Sequence, residues 1–93
     1  MQEYVFVYRA ADGYQPTEDT TPQWMEWLGG LGESIVTIGS AFGDTSTLGE
    51  PGGHVSGYSV VRAASLEDAV TLAKGCPGLA TGGGVEIGAV VEM

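Results

Sequence analysis

The sequence has 93 residues, of which 43% are hydrophobic, and a formal net charge of −9. This length predicts a single domain, residues 1–93, that buries only about 60 to 65% of its unfolded surface. Three basic side chains cannot form the positive surface that nucleic acid or an anionic membrane requires, so neither is an expected partner. The single cysteine excludes an internal disulfide, and no apolar run is long enough for a signal peptide or a membrane span, so we expect a cytoplasmic protein.

The first half of the chain predicts strand, helix and strand. Residues 3–10 are apolar on both faces, which is typical of a strand covered on both sides. Thr21 as N-cap and Pro22 at the first helical position begin a helix. Its apolar side chains recur on one side: Trp24, Trp27, Leu28 and Leu31. Residues 35–42 predict another strand, in which Gly39 indicates a bulge or a close backbone approach.

The second half predicts strand, helix and strand. The apolar run of residues 58–63 predicts a strand, and Ser65 is expected to cap the next helix by accepting from the backbone N–H of Asp68. Gly75 suits a left-handed helix stop, and Pro77 forbids continuation. One helical face is expected to pack on the sheet, with Leu66, Ala69, Val70, Ala73 and Cys76. A final strand follows over residues 85–93.

This element order is most economically packed as a ferredoxin-like βαββαβ α+β unit, in which a four-stranded antiparallel sheet has two helices on one face. The other face then carries either Tyr4, Phe6 and Tyr8 or the intervening valines, an apolar patch too large to leave in water. We therefore expect a second copy to cover this face, which would make a homodimeric α+β barrel. The alternative is a monomer in which the loop of residues 43–53 folds over the sheet.

Several motifs carry a resemblance to a known family. The segment GYSVVRAASLEDAVTLAKGCPGLATGGGVEI, residues 57–87, is similar to the C-terminal half of YCII-related domain proteins, and EYVFVYRA and WMEWLGGLGESIVTIGSAFG are similar in pattern to their N-terminal half. The resemblance implies a small dimeric α+β-barrel protein. Many members have an Asp-Gly-Pro-Phe motif where this chain reads LGEPGGHVSGY, and the enzymatic branch has a His-Asp pair with its histidine near the first helix. Because residues 20–31 contain no histidine, that pair cannot be transferred here.

His54 is the only histidine and the only candidate general base. Glu50 and Asp44 are close to it in sequence and could orient its imidazole for proton transfer. The alternative is a solvated loop histidine. A metal site needs three or four ligands in closing geometry, which one histidine, one cysteine and dispersed carboxylates do not suggest. Cys76 ends a helix on its apolar face, where a structural thiol is expected rather than a nucleophile.

A ligand pocket is the other candidate site. Trp24 and Trp27 either line a pocket between the first helix and the sheet or belong to the core. Ser40, Phe42 and Tyr58 are expected on neighbouring strands, where they would add a polar group to an aromatic wall, as in small-molecule sites. The acidic residues are most simply explained as a soluble surface.

Three functions therefore stay open. The first is a noncatalytic homodimer that binds a small organic molecule near Trp24, Ser40 and His54. The second is a small lyase- or isomerase-type enzyme that moves a proton with His54 and needs no cofactor. The third is a regulatory or interaction module that uses a sheet edge or the acidic surface.

Overall fold

The computed structural model describes residues 1–11, 20–50 and 52–91. Within these residues, the strands and α-helices follow one another as β1 (Gln2–Ala10), α1 (Thr20–Gly30), β2 (Ile35–Ala41), β3 (His54–Ala63), α2 (Leu66–Ala73) and β4 (Gly84–Ala89). The strands form one antiparallel sheet in the order β2-β3-β1-β4. This architecture confirms the predicted ferredoxin-like α+β fold. None of the described helices is long and apolar enough to cross a membrane.

The helices cover the face of β1 that carries Tyr4, Phe6 and Tyr8. Phe6 is fully buried, and its ring stacks on Trp27 of α1 with 6.3 Å between centroids. The indole N–H of Trp27 donates to the carbonyl of Leu72 in α2 at 3.3 Å. A single tryptophan thus connects the sheet to both helices.

Helix α2 packs on the sheet through a narrower stripe than its apolar pattern predicts. Ala69 and Ala73 are fully or almost fully buried, and Leu72 packs against the core. Leu66 and Val70, which the sequence assigned to the same face, are instead 50% and 38% exposed. They lie on the flank of the helix, because the side that packs on the core carries Ala69, Leu72 and Ala73.

The helix ends agree only in part with the prediction. Ser65 caps α2 as expected, and its hydroxyl accepts from the backbone N–H of Asp68 at 3.1 Å. Helix α1 begins at Thr20, so Thr21 lies inside the helix and is not its N-cap. Gly75 does not have a positive φ, so the predicted left-handed stop is wrong, and the C-cap residue Lys74 also lies in the right-handed region.

Two further segments differ from the sequence interpretation. Strand β4 ends at Ala89, although the N–H of Val90 still donates to the carbonyl of Glu3 at 3.0 Å. Residues 92 and 93 of the predicted strand lie outside the described residues. Residues 43–50 of the long loop are all exposed, Leu48 at 94%, so this part of the loop does not cover the sheet as the monomeric alternative requires.

Candidate ligand-binding cleft

A cleft of about 780 Å³ lies at one end of the sheet, where the ends of β1 and β2 and the beginning of β3 meet α1. Trp24, Met25 and Leu28 line it from α1, and Tyr8 and Ser59 line it from the sheet. Small-molecule sites in proteins have volumes of about 300–1,000 Å³ and mostly apolar walls. The cleft matches this description.

Four residues of the predicted ligand pocket are among those that line this cleft. Trp24, Ser40, Phe42 and Tyr58 all line it, Trp24 from the helix side and Tyr58 from the sheet face opposite the helices. Ser40 is the cross-strand partner of Tyr58, and the rings of Phe42 and Tyr58 lie 6.1 Å apart. Trp24 packs edge-on against Tyr8 with 4.7 Å between ring centroids. Trp27 is not among the lining residues, so the two tryptophans of α1 divide between cleft and core.

The predicted catalytic residues are only partly brought together. His54 begins β3, is half-buried and lines the cleft, and the exposed Asp44 also lines it. Glu50 is not among the lining residues. Within residues 1–11, 20–50 and 52–91, no hydrogen bond or ion pair joins His54 to a carboxylate. The imidazole therefore has access to the cleft but lacks the orienting partner expected from the sequence.

The floor of the cleft contains a hydrogen-bond chain that the sequence analysis did not identify. The hydroxyl of Tyr8 lies 2.8 Å from Ser59 Oγ, and Ser59 Oγ lies 2.6 Å from the carbonyl oxygen of Ile38. Both side chains are buried, Tyr8 at 6% exposure and Ser59 at 0%. Burial raises the pKa of Tyr8 to about 12, and the hydrogen bond with Ser59 opposes part of that rise. Tyr8 is therefore a neutral phenol at physiological pH.

A bulge in β2 positions this hydrogen-bond chain, at the residue where Gly39 predicted a bulge or a close backbone approach. The register between β2 and β3 shifts between Thr37 and Ser40, and Gly39 has φ +77°. A Cβ at position 39 would overlap the carbonyl oxygen of Tyr58. Only glycine fits this backbone geometry, which turns the Ile38 carbonyl towards the Ser59 hydroxyl.

Two other reactive side chains were considered as functional groups: Arg9 already has polar partners, and Cys76 is buried. The guanidinium of Arg9 is 3.7 Å from the carboxylate of Glu86 and donates to the carbonyl of Gly52 at 3.3 Å. Cys76 is 4% exposed, and burial raises the pKa of its thiol. A buried thiol of this kind agrees with a structural role. Among the described residues, no group of three or more His, Cys, Asp or Glu side chains could hold a metal ion.

Comparison with known proteins supports the family resemblance. The family model of the YCII-related domain matches residues 1–93, the full length of the sequence. The chain belongs to the YCII-related domain family. No match was found for this YCII-related chain among curated proteins or among solved structures.

Proposed function

We propose that this YCII-related protein is a homodimer that binds a small organic molecule in the cleft between α1 and the sheet. One observation carries the binding proposal: α1 and three strands converge on a single cleft of about 780 Å³ whose walls are mainly aromatic and aliphatic. The few polar groups among them, such as Ser40 and His54, would orient the bound molecule.

The sheet face opposite the helices supports the homodimer. Val5 and Val7 of β1 pair with Val60 and Tyr58 of β3, and alternation places all four side chains on this face. No described helix packs on it. The Arg9–Glu86 ion pair lies at its border, so an apolar centre has a charged rim, as protein interfaces commonly do. A second copy would remove this patch from water. A cytoplasmic location stays a prediction.

A second candidate function is proton transfer by His54. Its support is that the only histidine of the chain lines the cleft, where it would reach a bound molecule. The absence of an orienting carboxylate among the described residues makes a binding protein the better-supported proposal.

Binding can be tested by a thermal-shift screen with small aromatic and carboxylic compounds, followed by calorimetric measurement of Kd for each compound that raises Tm. The two tryptophans of α1 provide matched variants, because Trp24 lines the cleft and Trp27 does not. Trp24→Leu is expected to remove most of the binding, whereas Trp27→Leu removes only the packing behind Trp24 and Tyr8 and is expected to lower stability and weaken binding less. Equal Kd values for wild type and Trp24→Leu would contradict the proposed location.

The enzymatic alternative is tested with the same compounds. Each binder is incubated with wild-type protein and with His54→Gln, and product formation is followed by NMR. Product with wild type and none with His54→Gln would establish proton transfer by His54. Binding without product would support the noncatalytic proposal.

A further inference from the structure

The direction of the hydrogen bonds at the cleft floor follows from the chemistry of their ends. The carbonyl oxygen of Ile38 can only accept, so Ser59 must donate its single proton to it across 2.6 Å. The Ser59 oxygen can then only accept from Tyr8, at 2.8 Å. The proton of the Tyr8 hydroxyl is therefore committed to Ser59, and within residues 1–11, 20–50 and 52–91 no donor engages the remaining lone pair of its oxygen.

Reversing the direction of the hydrogen bonds from Tyr8 to Ser59 and from Ser59 to the Ile38 carbonyl is energetically costly. If Tyr8 turned its proton towards a bound molecule, the Ser59 oxygen would lose its donor while fully buried, and buried polar groups without partners are strongly disfavoured. Ser59 cannot exchange its acceptor either, because the bulge at Gly39 fixes the Ile38 carbonyl beside it. The edge-on contact with Trp24 also restrains the Tyr8 ring.

Building on the proposed function, we infer that the floor of the cleft accepts a hydrogen bond, and that the molecule bound there is a flat, uncharged compound with an N–H or O–H donor at its inner end. Tyr8, Ser59 and Ile38 all line the cleft, so the remaining lone pair of Tyr8 is a side-chain acceptor at this end. The indole of Trp24, which packs edge-on against the Tyr8 ring, supplies an aromatic wall that suits a planar ring.

The same arrangement disfavours a carboxylate. A carboxylate placed on the floor would meet the lone pair of Tyr8 rather than a donor. Arg9, the only Lys or Arg among the lining residues, is already engaged by Glu86 and Gly52. The net charge of −9 adds long-range repulsion.

Three probes of similar size test the inference: indole has an N–H donor, benzofuran has an oxygen in its place, and benzoate is an anion. Kd values for wild type are measured by calorimetry or ligand-observed NMR. We expect indole to bind about tenfold more tightly than benzofuran, the effect of one hydrogen bond, and benzoate to bind more weakly than both. Equal Kd values for indole and benzofuran would overturn the inference but leave the proposed function intact. Failure of all three to bind would overturn both.

Variants then assign the selectivity to Tyr8, with the fold of each checked by circular dichroism. Tyr8→Phe removes the acceptor and should bring the two Kd values within about twofold. Ser59→Ala releases the Tyr8 proton, so benzofuran should gain affinity relative to indole. Tyr4→Phe is the matched control, since Tyr4 is also a buried phenol of β1 but does not line the cleft, and it should keep the wild-type ratio. A tenfold preference for indole that persists in Tyr8→Phe would overturn the inference.

Discussion

The indole of Trp27 lies against Gly75, so closely that a Cβ at position 75 would come within 3.0 Å of both Cδ1 and Nε1 of the ring. The indole has little freedom to move away, because it stacks on Phe6 and its N–H donates to the Leu72 carbonyl. Gly75 is therefore required for close packing of Trp27 at the end of α2, and not for a left-handed backbone conformation.

Gly75→Ala is expected to lower the free energy of unfolding by about 1 kcal/mol. Overpacking costs about 1–3 kcal/mol, and the reduced entropy of the unfolded chain offsets about 0.4–1 kcal/mol of this. Urea unfolding followed by circular dichroism measures the difference. Gly29→Ala is the matched control, because nothing lies within 4 Å of a Cβ placed there in α1, and it should raise stability by about 0.5–1 kcal/mol. If both substitutions raised the free energy of unfolding, the indole of Trp27 would be able to move aside for a Cβ at position 75.

The sequence predicted the elements well because local signals determine them. Alternation in residues 3–10 predicted a strand with two apolar faces, and Gly39 predicted the bulge. The position of the buried stripe on α2 was not predictable in the same way. A helical period shows that apolar residues share a side, but contact with the sheet selects which of them face it. Here the sheet selects Ala69 and Ala73 and leaves Val70 exposed.

The residues of the candidate cleft were also only partly predictable from the sequence. Trp24 and Tyr58 could be proposed for it because large aromatics near predicted strand and helix surfaces are recognisable in sequence. Tyr8 and Ser59 could not, since their contact depends on the pairing of β1 with β3 and on the bulge opposite β3. A serine inside an apolar strand was the available signal, because a buried hydroxyl must find a partner.

A double-mutant cycle can measure the Tyr8–Ser59 hydrogen bond. Ser59→Ala leaves buried polar groups without their partner and should cost about 1–3 kcal/mol, and Tyr8→Phe should cost about 0.5–1.5 kcal/mol. The double variant should lose about 1 kcal/mol less than the sum, because the two hydroxyls share one interaction. Chemical unfolding of the four proteins gives the coupling energy. Additivity within about 0.3 kcal/mol would mean that the hydroxyls do not interact.

The titration of Tyr8 predicts a loss of stability at alkaline pH. Burial raises the pKa of Tyr8 from 10.0 to about 12 in the folded protein, so the unfolded chain loses this proton first as pH rises. The contribution of protonated Tyr8 to the free energy of unfolding is complete below pH 10.0 and is lost as pH approaches 12. The loss is about 1.4 kcal/mol for each pH unit over which Tyr8 is ionised only in the unfolded chain.

Tyr8→Phe should therefore flatten the dependence of unfolding free energy on pH in this window. Burial also raises the pKa of Cys76, which gives a slope of the same sign. The comparison is valid because wild type and Tyr8→Phe share Cys76. Unfolding midpoints measured in urea across the alkaline range supply the two slopes, and identical slopes would show that Tyr8 titrates alike in both states.

The proposed homodimer predicts that a charge on the uncovered sheet face separates the copies. Val60 lies on this face between Val5 and Thr37. Wild type should have twice the 9.6 kDa mass of one chain in light scattering at micromolar concentration. Val60→Lys should have the mass of one chain, because a charged side chain cannot be buried without a partner in an apolar interface.

Val70→Lys is the matched control for this substitution. Val70 is 38% exposed on α2, away from the uncovered face, so the same change should leave the two-chain mass intact. Circular dichroism verifies that both variants keep the wild-type secondary structure. Wild type at one-chain mass, or Val60→Lys at two-chain mass, would show that the valines of β1 and β3 do not form the interface.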